Sequence, residues 1–264
     1  MLPLRDWPAA QRRRIVGVLT DIDDTLTTEG AVTPDVLEAL EALRAAGLHV
    51  IPVTGRPVGW SEPFARAWPV DAIVAENGAV ALTPAGPAGG LRKLYVQDEA
   101  VRAANYASMQ QVAQRIEDEI PGAARSQDSG GRETDIAIDH SEFADLPPDT
   151  IAQVVAMMRQ EGMNATVSSI HVNGWYGDHS KLSGARWIVR ELLQRELDDE
   201  IDRWVYVGDS TNDVSMFQHF PHSAGVANIR RFEAQLAFKP RYVTQGERGA
   251  GFAEVVRAIL SVRP

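Results

Sequence analysis

The chain has 264 residues, 36 acidic and 26 basic side chains and a formal net charge of -10, which argues against a nucleic-acid partner, whose backbone is held by clustered Lys and Arg. It has no cysteine, which excludes disulfides and thiolate metal sites. At 44% hydrophobic and 23% charged residues the composition is that of a folded soluble protein, with no apolar run long enough to span a membrane.

Residues 1–13, with Pro3, Pro8 and the pair Arg12-Arg13, read as a loose leader before the first strand. Met1 to Asp6 lack the charged start and apolar run of a signal peptide, and a cytoplasmic location is expected. The stretch 14–20 is short, β-branched and apolar and ends in acidic residues, as a buried parallel strand does when polar chemistry sits at its carboxyl end. Thr33 and Pro34 then open a helix with Val36, Leu37, Leu40 and Leu43 on its apolar face, and Gly47 closes it. Strands follow at 49–53 and 72–75, completing a β-α-β rhythm, and Asn77-Gly78 marks a hairpin.

The rhythm then changes. A Pro/Gly/Ala-rich loop is expected over 84–90, helices over 98–120 and 148–162, and strands at 136–138 and 165–172. Residues 82–178 therefore form an inserted α+β cap, and 14–81 with 179–264 form the core. A helix over 180–197, a strand at 204–207, a short helix over 211–220, strands at 223–226 and 241–243 and a closing helix over 249–260 restore the core pattern. The fold class is α/β: a doubly wound parallel sheet with an inserted α+β cap. Ligands of such sheets bind at the carboxyl ends of the strands.

Four polar groups fall at those ends. Asp21 and Asp23, spaced i, i+2 past the first strand, can turn hard oxygen toward a magnesium ion, and alone they equally fit an acidic turn. Thr54-Gly55-Arg56 offers a hydroxyl and free backbone amides for phosphate oxygens, or simply joins a strand to a helix. Lys181 opens a helix, where a surface lysine is commonplace and a buried one would neutralise phosphate. Gly208-Asp209-Ser210-Thr211-Asn212-Asp213 joins a sharp turn to acidic and amide side chains; a helix cap explains one of those acids but not the string.

In that order, D-x-D-x-T, T-G-R, a helix-borne Lys and G-D-x-x-N-D, the chain resembles the haloacid dehalogenase superfamily from about Arg14 to its end. Asn77-Gly78, Gly225-Val226-Ala227-Asn228 and Gly249-Ala250-Gly251 are similar to turns of its subfamily IIB, the Cof-type branch that includes sucrose-phosphate, mannosyl-3-phosphoglycerate and other sugar-phosphate phosphatases and phosphomannomutase. The resemblance implies Asp21 as nucleophile and Asp23 as general acid and base. It implies Mg2+ on the Asp21 carboxylate, the Asp23 carbonyl and Asp209, and phosphate held by Thr54, Gly55, Lys181 and Asn212, with Thr25 and Asp213 in support. The expected activity is a magnesium-dependent phosphatase acting on a small phosphorylated substrate; a phosphohexomutase and a non-catalytic sugar-phosphate regulator are the alternatives. Neither nucleic acid nor membrane is expected as a partner, and the chain is expected to be a monomer or homodimer.

Two positions depart from the family pattern: Asp24 stands where relatives carry Gly, read here as a surface turn, and Leu182 follows Lys181, with Gly184 only later. Cap residues Arg132, His171, Asn173 and Trp175 are expected to set substrate specificity.

Overall fold

The computed structural model describes residues 1–86 and 90–263. Six parallel strands form the central sheet in the order Leu2–Pro3, Tyr242–Val243, Ser223–Gly225, Trp204–Gly208, Gly17–Thr20, His49–Pro52. Gly17–Thr20 is buried on both faces, which explains its unbroken apolar character. Successive side chains alternate between two cores. Val18 and Val50 join Val36, Leu40, Phe252 and Val256 on one side, while Leu19 and Ile51 join Ala185, Ile188, Met216 and Phe217 on the other. Helices Pro34–Ala45 and Arg248–Leu260 thus cover one face, and Lys181–Leu193 and Val214–His219 the other. Gly17 is glycine because the Trp204 ring lies where its Cβ would stand, 2.2 Å from the nearest ring atom.

Two expectations are corrected at the edges of this core. Residues 1–13 are not a loose leader: Leu2–Pro3 is the edge strand, Leu4 and Trp7 are buried, and the Trp7 ring stacks on Tyr242 at 5.5 Å. The partner strand is some 240 residues away in sequence, so no local pattern reveals the pairing. The strand Ile73–Ala75 lies outside the six-stranded sheet. It pairs antiparallel with Val80–Pro84, which pairs with Leu91–Tyr95, and a single parallel bridge from Val53 to Val74 ties this sheet to the core. A boundary at 81/82 would cut through Val80–Pro84, whose Leu82 belongs to the main core. Residues 87–89 of the loop expected over 84–90 lie outside the described residues.

The inserted unit begins at the helix Glu99–Glu119, where Asp98 accepts the Val101 N–H as N-cap. Its antiparallel sheet has the order Asn164–Val167, His171–Trp175, Ile136–Asp139. The single strand expected at 165–172 is instead a hairpin turning at 168–170, where Ser168 Oγ accepts the N–H groups of Ile170 and His171. One face of this sheet, with Ile138 and Val172, packs on Met109, Ile116, Val154 and Met158 of the two cap helices. By register the opposite face carries His171, Asn173 and Trp175 beside Thr166 and Asn164. No helix among the described residues is long and apolar enough to cross a membrane.

Because Trp7 fills the core beneath the edge strand, Trp7→Ala should cost about 3–5 kcal/mol of stability. Urea denaturation measures this; a loss under 1 kcal/mol would mean the N-terminal segment is not part of the fold.

Candidate active site

Asp21 continues the ladder of Gly17–Thr20, its N–H donating to Val207 O at 2.9 Å. Its Oδ1 accepts the Ile22 N–H at 2.8 Å, which turns the carboxylate back over the strand end. The turn closes at Asp24, whose φ of 52° is the left-handed backbone that favours glycine and that Asp tolerates. Asp24 is not a plain surface turn. It is half-buried, its carboxylate pairs with Arg248 Nε at 2.9 Å, and its carbonyl accepts from Asn228 Nδ2 at 3.0 Å.

Asp209 ends the neighbouring strand and is fully buried, with Oδ1 accepting from Thr25 Oγ1 at 3.4 Å and Oδ2 from Asn228 Nδ2 at 3.2 Å. Asp213 is the hub of the loop. Its Oδ2 accepts the N–H groups of Asp209 and Ser210 at 3.0 and 3.3 Å, and its Oδ1 accepts from Lys181 Nζ at 2.7 Å and from the Tyr206 hydroxyl. Lys181 also reaches Asp21 Oδ1 at 3.0 Å. Burial opposes the ammonium, yet the Asp21 and Asp213 carboxylates outweigh it and raise the Lys181 pKa. Burial, with Asp213 and Asp23 nearby, lifts Asp21 to about 7 against the pull of Lys181. Burial and the same crowd of carboxylates raise Asp209 well above the usual range.

Gly184 places Lys181. The helix Lys181–Leu193 begins in a capping box between Ser180 and Ser183 and lies directly on the turn at Gly78, whose φ is 106°. A Cβ on Gly184 would stand 2.5 Å from Gly78 Cα. The departure from a Lys-Gly pair therefore leaves Lys181 in the site, with Gly184 providing the close approach.

Asp23 is half-buried and pairs with Arg56 rather than with Lys181. Both its oxygens accept from Arg56 Nε, at 2.9 and 3.0 Å, and burial raises its pKa although Arg56 works against it. Arg56 is a residue that the motif reading passed over. It lies over the Trp60 ring at 5.0 Å, and its remaining nitrogens reach cap carboxylates, Glu142 at 2.7 Å and Asp128 at 3.2 Å. Thr54 Oγ1 accepts the Arg56 N–H at 3.0 Å. The Gly55 carbonyl accepts from Arg132 at 3.0 Å and from Asn173 at 3.4 Å. Asp135, also missed, joins Arg132, Asn173 and Asn77 at 2.8, 3.2 and 3.2 Å. Arg132 and Asn173 thus hold the loop at Gly55 in place. His171 Nε2 lies 2.9 Å from Glu142, and Trp175 is buried with its indole N–H on His179 O at 2.9 Å. Asn212, accepting from Ser210 Oγ at 3.0 Å, lines a cavity of about 600 Å³ with Lys181, Asn77 and Thr166.

One carboxylate oxygen from each of Asp21, Asp209 and Asp213 lies within 4.8 Å of the others. These are hard ligands, and three buried carboxylates share a single ammonium, so the donor set fits a divalent cation such as Mg2+. Asp213 spends both oxygens on Lys181, Tyr206 and two amides, which suits an orienting role; Asp21 and Asp209 are the carboxylates that could hold such an ion, and the Asp23 side chain pairs with Arg56.

Residues 18–87 match the family model of haloacid dehalogenase-like hydrolases. Over this segment the chain is similar to that family. The fold of these hydrolases extends over nearly the whole chain. A Thermoplasma acidophilum protein, 0175, is 17% identical, covers 93% of this chain and 98% of its own, and superposes with a TM-score of 0.69. The sucrose-phosphatase of Synechocystis sp. PCC6803, solved with sucrose and phosphate, is 17% identical over 94% and 98% with a TM-score of 0.66. BT1666 of Bacteroides thetaiotaomicron, described among the phosphatases of the haloalkanoate superfamily, is 16% identical over 94% and 96% with a TM-score of 0.60. No curated protein matches the chain in sequence.

Gly184→Ala should push the Lys181 helix off the hairpin and lower stability by about 1–3 kcal/mol; a denaturation midpoint equal to wild type would show that the contact yields freely. A second prediction concerns His179, buried with neither ring nitrogen hydrogen-bonded among the described residues and its pKa lowered by that burial to about 4. Below its unfolded value the unfolded chain takes up a proton that the folded chain refuses. The stability that His179 contributes is therefore full above pH 6.5 and is lost progressively down to pH 4, by up to about 3 kcal/mol. Compared with wild type, His179→Gln should flatten the fall in stability between pH 6.5 and 4 in urea titrations; parallel curves would contradict the assignment.

Proposed function

We propose that the protein is a magnesium-dependent phosphatase that hydrolyses a small phosphorylated metabolite, a sugar phosphate, through an aspartyl-phosphate on Asp21. The observation that carries this reading is the buried cluster at two adjacent strand ends: Asp21 and Asp209 with Lys181 and Asp213, and Asp23 set apart at the mouth. Binding alone requires no such division between a nucleophile and a separate acid.

In the first step Asp21 attacks phosphorus, the bond from phosphorus to the alcohol oxygen breaks, and Asp23 gives its proton to the departing alkoxide. In the second, Asp23 takes a proton from water, the oxygen attacks phosphorus, and the bond to Asp21 breaks to release inorganic phosphate. Burial favours the protonated form of Asp23 that the first step needs. Lys181 holds a phosphoryl oxygen while Asp213 fixes its ammonium, and Thr54, Gly55 and Asn212 complete the cradle. Mg2+ on Asp21 and Asp209 would offset the repulsion between an anionic nucleophile and an anionic phosphate. The polar face of the cap sheet turned toward the core suits a hydroxyl-rich alcohol, and the Synechocystis sucrose-phosphatase of the same fold supports a sugar.

In a phosphate-release screen across sugar phosphates with Mg2+, Asp21→Asn should fall to background, and Asp23→Asn should lose about 10²–10⁴-fold. Chelation should stop the reaction and added Mg2+ restore it. Wild-type rates from Asp21→Asn, or isomerisation of a hexose 1-phosphate without free phosphate, would overturn the proposal.

A further inference from the structure

Beside Asp23 the core and cap enclose a cavity of about 350 Å³, separate from the one that Lys181 and Asn212 line. An acid must touch the oxygen it protonates, so under the function proposed above the leaving alcohol occupies the Asp23 side. Four carboxylates line this cavity, Asp23, Asp24, Glu29 and Glu142, against two cations, Arg56 and Arg248. Both cations are already engaged: Arg248 with Asp24 at 2.9 Å, and Arg56 with Asp23, Glu142 and Asp128. Glu29 is exposed and has no ion-pair partner among the described residues. The loop bearing Glu142 is held in place, since Asp139 accepts the N–H groups of Glu142 and Phe143 at 2.9 and 3.0 Å. At the rim Phe143 stands 66% exposed, an aromatic face of the kind that stacks on the C–H face of a sugar ring.

We infer that this site selects phosphomonoesters whose alcohol is uncharged, a sugar or polyol bearing no anion besides the transferred phosphate, and that Glu142 is the residue that enforces the choice. A carboxylate or second phosphate on the alcohol would meet an acidic mouth in which every arginine is taken. Glu142 acts both by its own charge and by occupying the Arg56 nitrogens that would otherwise receive such an anion.

The test uses the full chain with Mg2+ and two substrates of one carbon skeleton, sn-glycerol 3-phosphate and 3-phosphoglycerate, which differ as hydroxymethyl and carboxylate. The first should be favoured by about tenfold or more in kcat/KM. Glu142→Gln should narrow that ratio several-fold, chiefly through a lower KM for 3-phosphoglycerate. If turnover of either is too slow to follow, their inhibition constants against p-nitrophenyl phosphate hydrolysis provide the same comparison. Equal constants for the pair, or a ratio untouched by Glu142→Gln, would overturn the inference while leaving the phosphatase reading intact. Absence of Asp21-dependent p-nitrophenyl phosphate hydrolysis would instead remove both.

Discussion

Three buried carboxylates around one buried ammonium set the terms for the rest of this structure. Isolated ions of either sign are costly to hold away from water, and Lys181 is tolerated only because Asp21 and Asp213 lie at 3.0 and 2.7 Å. The balance is still negative, and burial together with that surplus raises Asp21 to about 7 and lifts Asp209 well above the usual carboxylate range. A site with excess buried negative charge has a use for a divalent cation and an unfavourable energy without one. Much of the surrounding architecture serves to assemble this cluster: the adjacent parallel strands Gly17–Thr20 and Trp204–Gly208, the glycine contact that seats the Lys181 helix, and the amide donors that pin Asp213.

A second electrostatic centre joins core to cap. Arg56 lies between Asp23 on the core and Glu142 and Asp128 on the cap, so Asp23 and the cap share one guanidinium. Close by, the fully buried Glu76 accepts the N–H groups of Val58 in the core and of Glu133 and Thr134 in the cap. Both contacts use charge-assisted hydrogen bonds in a poorly hydrated seam, where such bonds are strong and geometrically exacting. The position of the cap is thereby linked to the surroundings of Asp23, which under the proposed function would meet the leaving alcohol.

The core motifs were legible because each couples a short-range pattern to an element boundary. Asp21, Thr54, Lys181 and Asp209 all fall where an apolar strand or a helix start meets polar residues. Arg56 was on view in the same T-G-R string and carried no distinguishing signal, since an arginine after a turn is usually solvated; its partners lie 33 to 86 residues away. Asp135, Asp128 and Glu142 had no pattern at all. The edge strand Leu2–Pro3 is too short for any periodicity, and Pro3 and Pro8 suggest irregular chain, while the burial of Trp7 that anchors the segment depends on a distant strand.

The sequence by itself determined the class of sheet, the order of the chemical groups and the identity of the acids, because strand and helix periodicity and turn chemistry are local properties of the chain. Only the tertiary structure decided which of those groups share a charge environment. It paired Asp23 with Arg56, gave both oxygens of Asp213 to donors, and committed Arg132 and Asn173 to the Gly55 carbonyl rather than to open space. The physical reason is that electrostatic partnership depends on distance and burial after folding, and neither is encoded in the spacing of residues along the chain.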